Sequence, residues 1–203
     1  MATIKKLLAL EGLIACLGRL PGVGRRSAER MAYALMMKRD GLARDLAMAL
    51  TEASTTVCCC SLCGGFTAVE NNPCVLCTDP SRDASILCVV EEPSDVLLIE
   101  KSGTFQGRYH VLMGKLSPMR GVGAGQLRME FLARRVAQEP IREIILALNS
   151  DMESDATAGF IRDMLAGHDA RISRPALGLP AGSGVAYSDA VTLAGAFKAR
   201  QPL

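Results

Sequence analysis

Cys60-Ser61-Leu62-Cys63 and Cys74-Val75-Leu76-Cys77 decide how the rest of the 203-residue chain is read. Each run holds two cysteines with two residues between them, and ten residues separate the runs. This is the spacing of a tetrahedral four-thiolate zinc site. Four thiolates close the coordination shell and leave no position for water, so the expected Zn²⁺ is structural. It stands in for a core that so short a segment cannot build. The competing reading is a redox dithiol, which normally needs only one CxxC on a βα unit. Cys58 and Cys59 crowd the first pair, but neither has the right spacing to Cys63, so Cys60 is the expected ligand. Cys16 and Cys88 lie in apolar runs and are expected in the core.

The two sides of this knuckle differ. Upstream, apolar residues from Ile4 to Leu17 recur at helical spacing. Leu20-Pro21-Gly22-Val23-Gly24 interrupts them. A second helix is predicted over about 26–37 and a third over 43–53, with Asp40-Gly41 between them. Two glycines in the first turn free the backbone, so its amides can cradle a phosphate with the N-terminus of the second helix. Arg25 and Arg26 stand at that terminus, where the helix dipole disfavours cations. An anionic ligand on Gly22, Gly24, Arg25, Arg26 and Arg30 accounts for the placement. The plainer reading is a helical hairpin with solvated arginines. Phosphate contacts of this kind carry no sequence information.

Downstream, short apolar strands alternate with helices. Strands are predicted at 86–90, 109–113, 144–148 and 170–173, and helices at 93–99, 126–137, 156–165 and 189–198. Such alternation gives an α/β fold with a mostly parallel sheet and flanking helices. Glu91 follows the first strand, and Asn149, Asp151, Glu153 and Asp155 follow the third. Loops after parallel strands open on one edge, so these carboxylates can converge and would suit Mg²⁺. A solvated loop with a helix-start acid cluster accounts for the same residues.

Composition bounds the possibilities. The chain is 49% apolar and 22% charged, as expected of a soluble globular protein of one or two domains. Lys5, Lys6 and Glu11 break the first apolar stretch well short of a membrane span. No signal-type cleavage pattern follows Leu7–Leu10, so a cytoplasmic protein with reduced thiols is expected. Net charge is +2, but residues 1–57 carry nine Lys/Arg against five Asp/Glu. An anionic partner for the N-terminal part follows from that asymmetry.

Taken together, these motifs resemble one family, the bacterial recombination protein RecR. The Leu20–Gly24 turn resembles a helix-hairpin-helix, and Cys60-Ser-Leu-Cys63-Gly-Gly-Phe-Thr with Cys74-Val-Leu-Cys77-Thr-Asp-Pro resembles the family's zinc knuckle. Val90–Val96 and Tyr109–Pro118 resemble its Toprim domain, and Gly178–Pro180 with Tyr187–Leu193 its C-terminal end. The resemblance runs nearly end to end. It implies a helix-hairpin-helix DNA-binding module over 1–56, a four-cysteine zinc finger over 57–82, a Toprim domain over 83–175 and a C-terminal segment over 176–203. It also implies a mediator of the RecF pathway that binds DNA, partners RecO and RecF and helps load RecA at gapped DNA. A homo-oligomer, dimer or ring tetramer, goes with it. By motif, Arg26 and Arg30 match basic hairpin positions linked to DNA binding. Glu91, Asp95 and Glu153 match the Toprim acidic motifs implicated in RecO contact, with Asp151 beside them.

Catalytic Toprim enzymes carry an aspartate where this chain has Asn149, which removes a negative charge where a metal would sit. The acid run therefore favours a non-enzymatic clamp. The alternative is an Mg²⁺-dependent phosphodiester enzyme of nuclease type, needing only metal and water.

Overall fold

The computed structural model describes residues 2–37, 40–176, 178–179, 182 and 185–200. The chain divides into two compact units, Met1–Thr56 and Val57–Leu203.

The first unit is helical: α1 (Ala2–Leu17), α2 (Arg25–Met37) and α3 (Leu42–Thr56). Small side chains set its packing. Ala28 and Ala32 of α2 are fully buried, and a Cβ at Gly18 would stand 3.9 Å from the Ala28 Cβ. Ile14, Leu10, Leu13, Leu17 and Val23 complete this core. Cys16, expected in the core, is exposed. It lies off the stripe that carries Leu10, Leu13, Ile14 and Leu17.

The second unit opens with a two-stranded antiparallel hairpin, β1 (Val57–Cys59) and β2 (Phe66–Ala68), followed by the short α4 (Val75–Thr78). The elements that follow are β3 (Asp83–Val90), α5 (Pro93–Ser102), β4 (Gly107–Val111), α6 (Met129–Gln138), β5 (Glu143–Leu146), α7 (Met152–Met164), β6 (Arg171–Ser173) and α8 (Ala190–Lys198). The four-stranded sheet has the order β4-β3-β5-β6, with every pair parallel. Asp189 caps α8, accepting from the amides of Val191 at 2.9 Å and Thr192 at 3.0 Å. Of the C-terminal motif, Pro180 lies outside the described residues.

Side chains alternate across β3. Leu87 and Val89 face Leu132 of α6, Ile161 of α7 and Leu165 just past the end of α7. Cys88 and Val90 face the opposite side, with Tyr109, Val111, Val96 of α5 and the four knuckle cysteines. The knuckle is thus part of one face of the sheet's core. A backbone bond from Val111 N to Cys63 O, 2.7 Å, fastens it to the end of β4. Gly64 permits the approach: it has φ +83, and a Cβ there would meet the Val111 Cβ and Arg128 Nε at 3.2 Å.

Several boundaries move from their expected places. The helix expected at 126 begins at Met129, after a 3-10 turn over Ala124–Gln126. The strand expected at 109–113 spans Gly107–Val111 and gives way to Met113 at φ 66. The helix expected at 156 starts four residues earlier, because the Asp151 carboxylate caps it by accepting from Ser154 N at 3.0 Å. Glu153 and Asp155 are therefore first-turn helix residues, where acids complement the dipole.

Candidate nucleic-acid, metal and acidic sites

In the first unit, the turn between α1 and α2 is closed by Val23 N donating to Leu20 O at 3.1 Å. Gly22 takes φ +75, which favours glycine. Ala28 N is bonded to Gly24 O at 3.0 Å. The amides of Arg25, Arg26 and Ser27 precede it and have no acceptor within the helix. Arg25 donates to Glu29 at 3.1 Å, so its charge is partly met within α2. Arg26 and Arg30 are exposed one turn apart, and among the described residues neither has an ion-pair partner. Arg19, which the motif reading passed over, lines the same cleft as Arg25. Its place just before the Pro-Gly turn was the available signal.

In the knuckle, the Sγ atoms of Cys60, Cys63, Cys74 and Cys77 all lie within 4.8 Å of one another and are buried. Cys60 Sγ stands 3.9 Å from Cys77 Sγ, and Cys63 Sγ 3.6 Å from Cys74 Sγ. Tetrahedral thiolates at about 2.3 Å from zinc stand roughly 3.8 Å apart, so the set fits the ion. Backbone amides already point at the sulfurs: Gly65 N to Cys63 Sγ at 3.3 Å and Cys74 N to Cys60 Sγ at 3.2 Å. The hydrogen bond from Cys77 holds the Cys63 thiol down at about 5. Burial and the charge on Cys63 push Cys74 up to about 11, and the Cys63 hydrogen bond, then burial, push Cys77 up as well. Four thiolates together therefore call for a bound cation. Cys59 is exposed and Cys58 half-buried, both outside the cluster.

In the Toprim-like sheet, the loops after β3 and β5 converge. Glu91 is 4% exposed. Its Oε1 accepts from Asn149 N at 2.9 Å and Ser154 Oγ at 2.6 Å, and its Oε2 from Asn149 Nδ2 at 2.8 Å. An aspartate at 149 would lack that side-chain donor and would repel Glu91. The loop after β4 reaches the same edge, with Gly114 N bonded to Glu91 O at 2.8 Å. It brings Lys115 Nζ to Asp151 Oδ2 and to 3.9 Å from Glu91 Oε2. Glu153 accepts from Ser117 Oγ and from Arg120 Nη2, the latter at 2.7 Å. The Lys115 hydrogen bond holds Asp151 down at about 2, and those from Ser117 and Arg120 lower Glu153. Asp95 stands apart: its carboxylate accepts from Glu92 N at 2.8 Å at the start of α5, although it lines one cleft with Asn149. The motif reading gave no role to Lys115, Ser117, Arg120 or Ser154. Position after β4 in a parallel sheet was the signal for the first three.

Fold and sites define a helix-hairpin-helix unit and a Toprim-type sheet carrying a four-cysteine metal-binding cluster. Residues 10–54 match the family model described as RecR, helix-hairpin-helix, and residues 85–176 match that of the Toprim domain. Recombination protein RecR of Moorella thermoacetica is 44% identical over 194 residues, covering 96% of both chains. That of Desulfatibacillum aliphaticivorans is 42% identical over 195 residues, 96% of this chain and 97% of its own. That of Brucella canis is 44% identical over 194 residues, again 96% of both. The chain belongs to the RecR family of recombination proteins, which places it in recombination and repair. Among the described residues no helix is long and apolar enough to cross a membrane.

Proposed function

We propose that the chain is a non-enzymatic DNA clamp and recombination mediator, acting with RecO and RecF to load RecA at gapped DNA. The observation that carries this reading is the pair Arg26 and Arg30, exposed one turn apart beside amides without helical acceptors. The guanidiniums attract backbone phosphates, and the Arg25–Ser27 amides supply neutral donors to the same oxygens. Such a surface grips any sequence, as a loading factor requires. We assign DNA binding to the module at 1–56, structural zinc to 57–82 and partner docking to the Toprim part at 83–175. The C-terminal segment is 176–203. Encircling DNA calls for a homo-oligomer, dimer or ring tetramer, and the site of action is the cytoplasm.

Cys60, Cys63, Cys74 and Cys77 would hold the Zn²⁺. That ion would offset two of the four thiolate charges, and its ligands would tie β1–β2 to α4. In the acidic pocket, the side chains of Asp151 and Glu153 remain 44% and 32% exposed, enough to meet a basic partner surface. Glu91 supports them from beneath by fixing Asn149 and Ser154.

The test is DNA binding titrated against salt, with oligomer size measured on the same sample. Arg26→Ala with Arg30→Ala should weaken binding and lower the slope of log K against log salt by about 2. An unchanged slope would remove the hairpin from the interface.

A further inference from the structure

A Toprim fold raises the expectation of a divalent cation among its acids, and with the Lys115 ammonium in place the residues present here do not fit one. Magnesium demands near-octahedral oxygen ligands at about 2.0–2.1 Å. Glu91 spends both oxygens on chain donors, three of them at 2.6–2.9 Å. Asn149 presents its amide nitrogen, and not an oxygen, to Glu91. The remaining space between Glu91 and Asp151 holds the Lys115 ammonium, whose side chain is only 19% exposed.

We infer that Lys115 is the resident cation of this pocket and takes the place of a divalent ion. Its Nζ donates to Asp151 Oδ2 and stands 3.4 Å from Ser154 Oγ, 3.9 Å from Glu91 Oε2. Two carboxylates on separate loops, one of them buried, would otherwise face each other without a counter-charge. The ammonium also ties the loop after β4 to the start of α7. It works there beside Leu116 N, bonded to Thr157 Oγ1 at 2.9 Å, and Arg120, bonded to Glu153. The docking face is therefore built without metal. This inference stands on the pocket alone and does not depend on whether the hairpin grips DNA.

The experiment uses the full chain with its zinc, in metal-depleted buffer without chelator. Thermal melting is followed against MgCl₂, and Mn²⁺ binding is read by electron paramagnetic resonance. The unaltered chain should move by less than about 1 °C up to roughly 10 mM Mg²⁺ and bind no Mn²⁺ saturably. Lys115→Met should melt roughly 5 °C or more lower, recover at least half of that with Mg²⁺, and bind one Mn²⁺ per chain. Lys115→Arg should behave as the unaltered chain. The double variant Lys115→Met with Asp151→Asn removes both charges and should fold with no response to either ion. Saturable Mn²⁺ binding by the unaltered chain overturns the inference even if Lys115→Met fails to fold. So does a folded Lys115→Met that ignores both ions, or a double variant that responds to them.

Discussion

The knuckle and the acidic pocket both crowd anionic ligands, and they reach opposite solutions. Four cysteine sulfurs lie within 4.8 Å of one another, and the chain brings no ammonium or guanidinium bond to them among the described contacts. Glu91, Asp151 and Glu153 meet Lys115 and Arg120 instead. The first cluster therefore depends on a cation from solution, and the second carries its own. Whether a cluster of ligating groups is a metal site follows from the counter-charges around it as much as from the ligands.

Removing zinc should have the largest effect. Its binding in such sites is worth on the order of 10 kcal/mol at neutral pH. Cys60→Ser should lose the metal and melt the knuckle together with the face of the sheet that holds Val90 and Val111. Atomic absorption and calorimetry on one sample check this, and retention of one zinc per chain at a normal melting temperature would contradict it. Because the thiols must deprotonate, affinity should fall as pH is lowered.

Glu91→Ala comes next. It strips Asn149 of its acceptor, leaves Ser154 Oγ only Asp151 to donate to, and leaves Lys115 facing Asp151 alone, at a cost of about 3–5 kcal/mol in urea unfolding. A loss below about 1 kcal/mol would show that the pocket does not need its buried carboxylate.

His110 provides the opposite sign. It is fully buried in β4, with Nε2–H donating to Arg128 O at 3.0 Å. Burial first, then the nearby Arg135 charge, lowers its pKa from 6.5 to about 3. The unfolded chain therefore binds one more proton than the folded chain between those values. Stability from this group is full above about pH 6.5 and is lost as pH falls toward 3, by up to about 1.4 kcal/mol per unit. Urea midpoints of His110→Asn should show a flatter decline between pH 6.5 and 4.

Asp151→Asn should have the smallest effect. Asparagine can still cap α7 by accepting from Ser154 N, so only the charge facing Lys115 is lost. Asp151 has its pKa lowered from 3.8 to about 2, so its contribution is present above about pH 4 and disappears as pH falls through 2. The melting difference between the two chains should vanish across that window.

Much of the site was legible before any coordinates. Strict CxxC spacing picked Cys60 over Cys58 and Cys59, because a tight turn lets only one separation point both sulfurs at the same ion. Parallel strands place their C-terminal loops on one edge, so Glu91 and the 149–155 run were readable as neighbours. The start of α7 was hidden, although Asp151 with Ser154 three residues on is a capping pattern. Lys115 was hidden for another reason. It falls between the strand predicted at 109–113 and the helix predicted at 126–137, and a lone lysine in such a loop looks solvated until its neighbours are known.

Local chemistry thus settled the helical hairpin of the first unit, the strand–helix alternation and the cysteine set, because each rests on spacing along the chain. Packing alone decided that the knuckle shares a core face with β3 and β4 and that Lys115 answers the acids. Those outcomes depend on which charges and surfaces meet in the folded molecule, often across tens of residues, and no segment carries that information by itself.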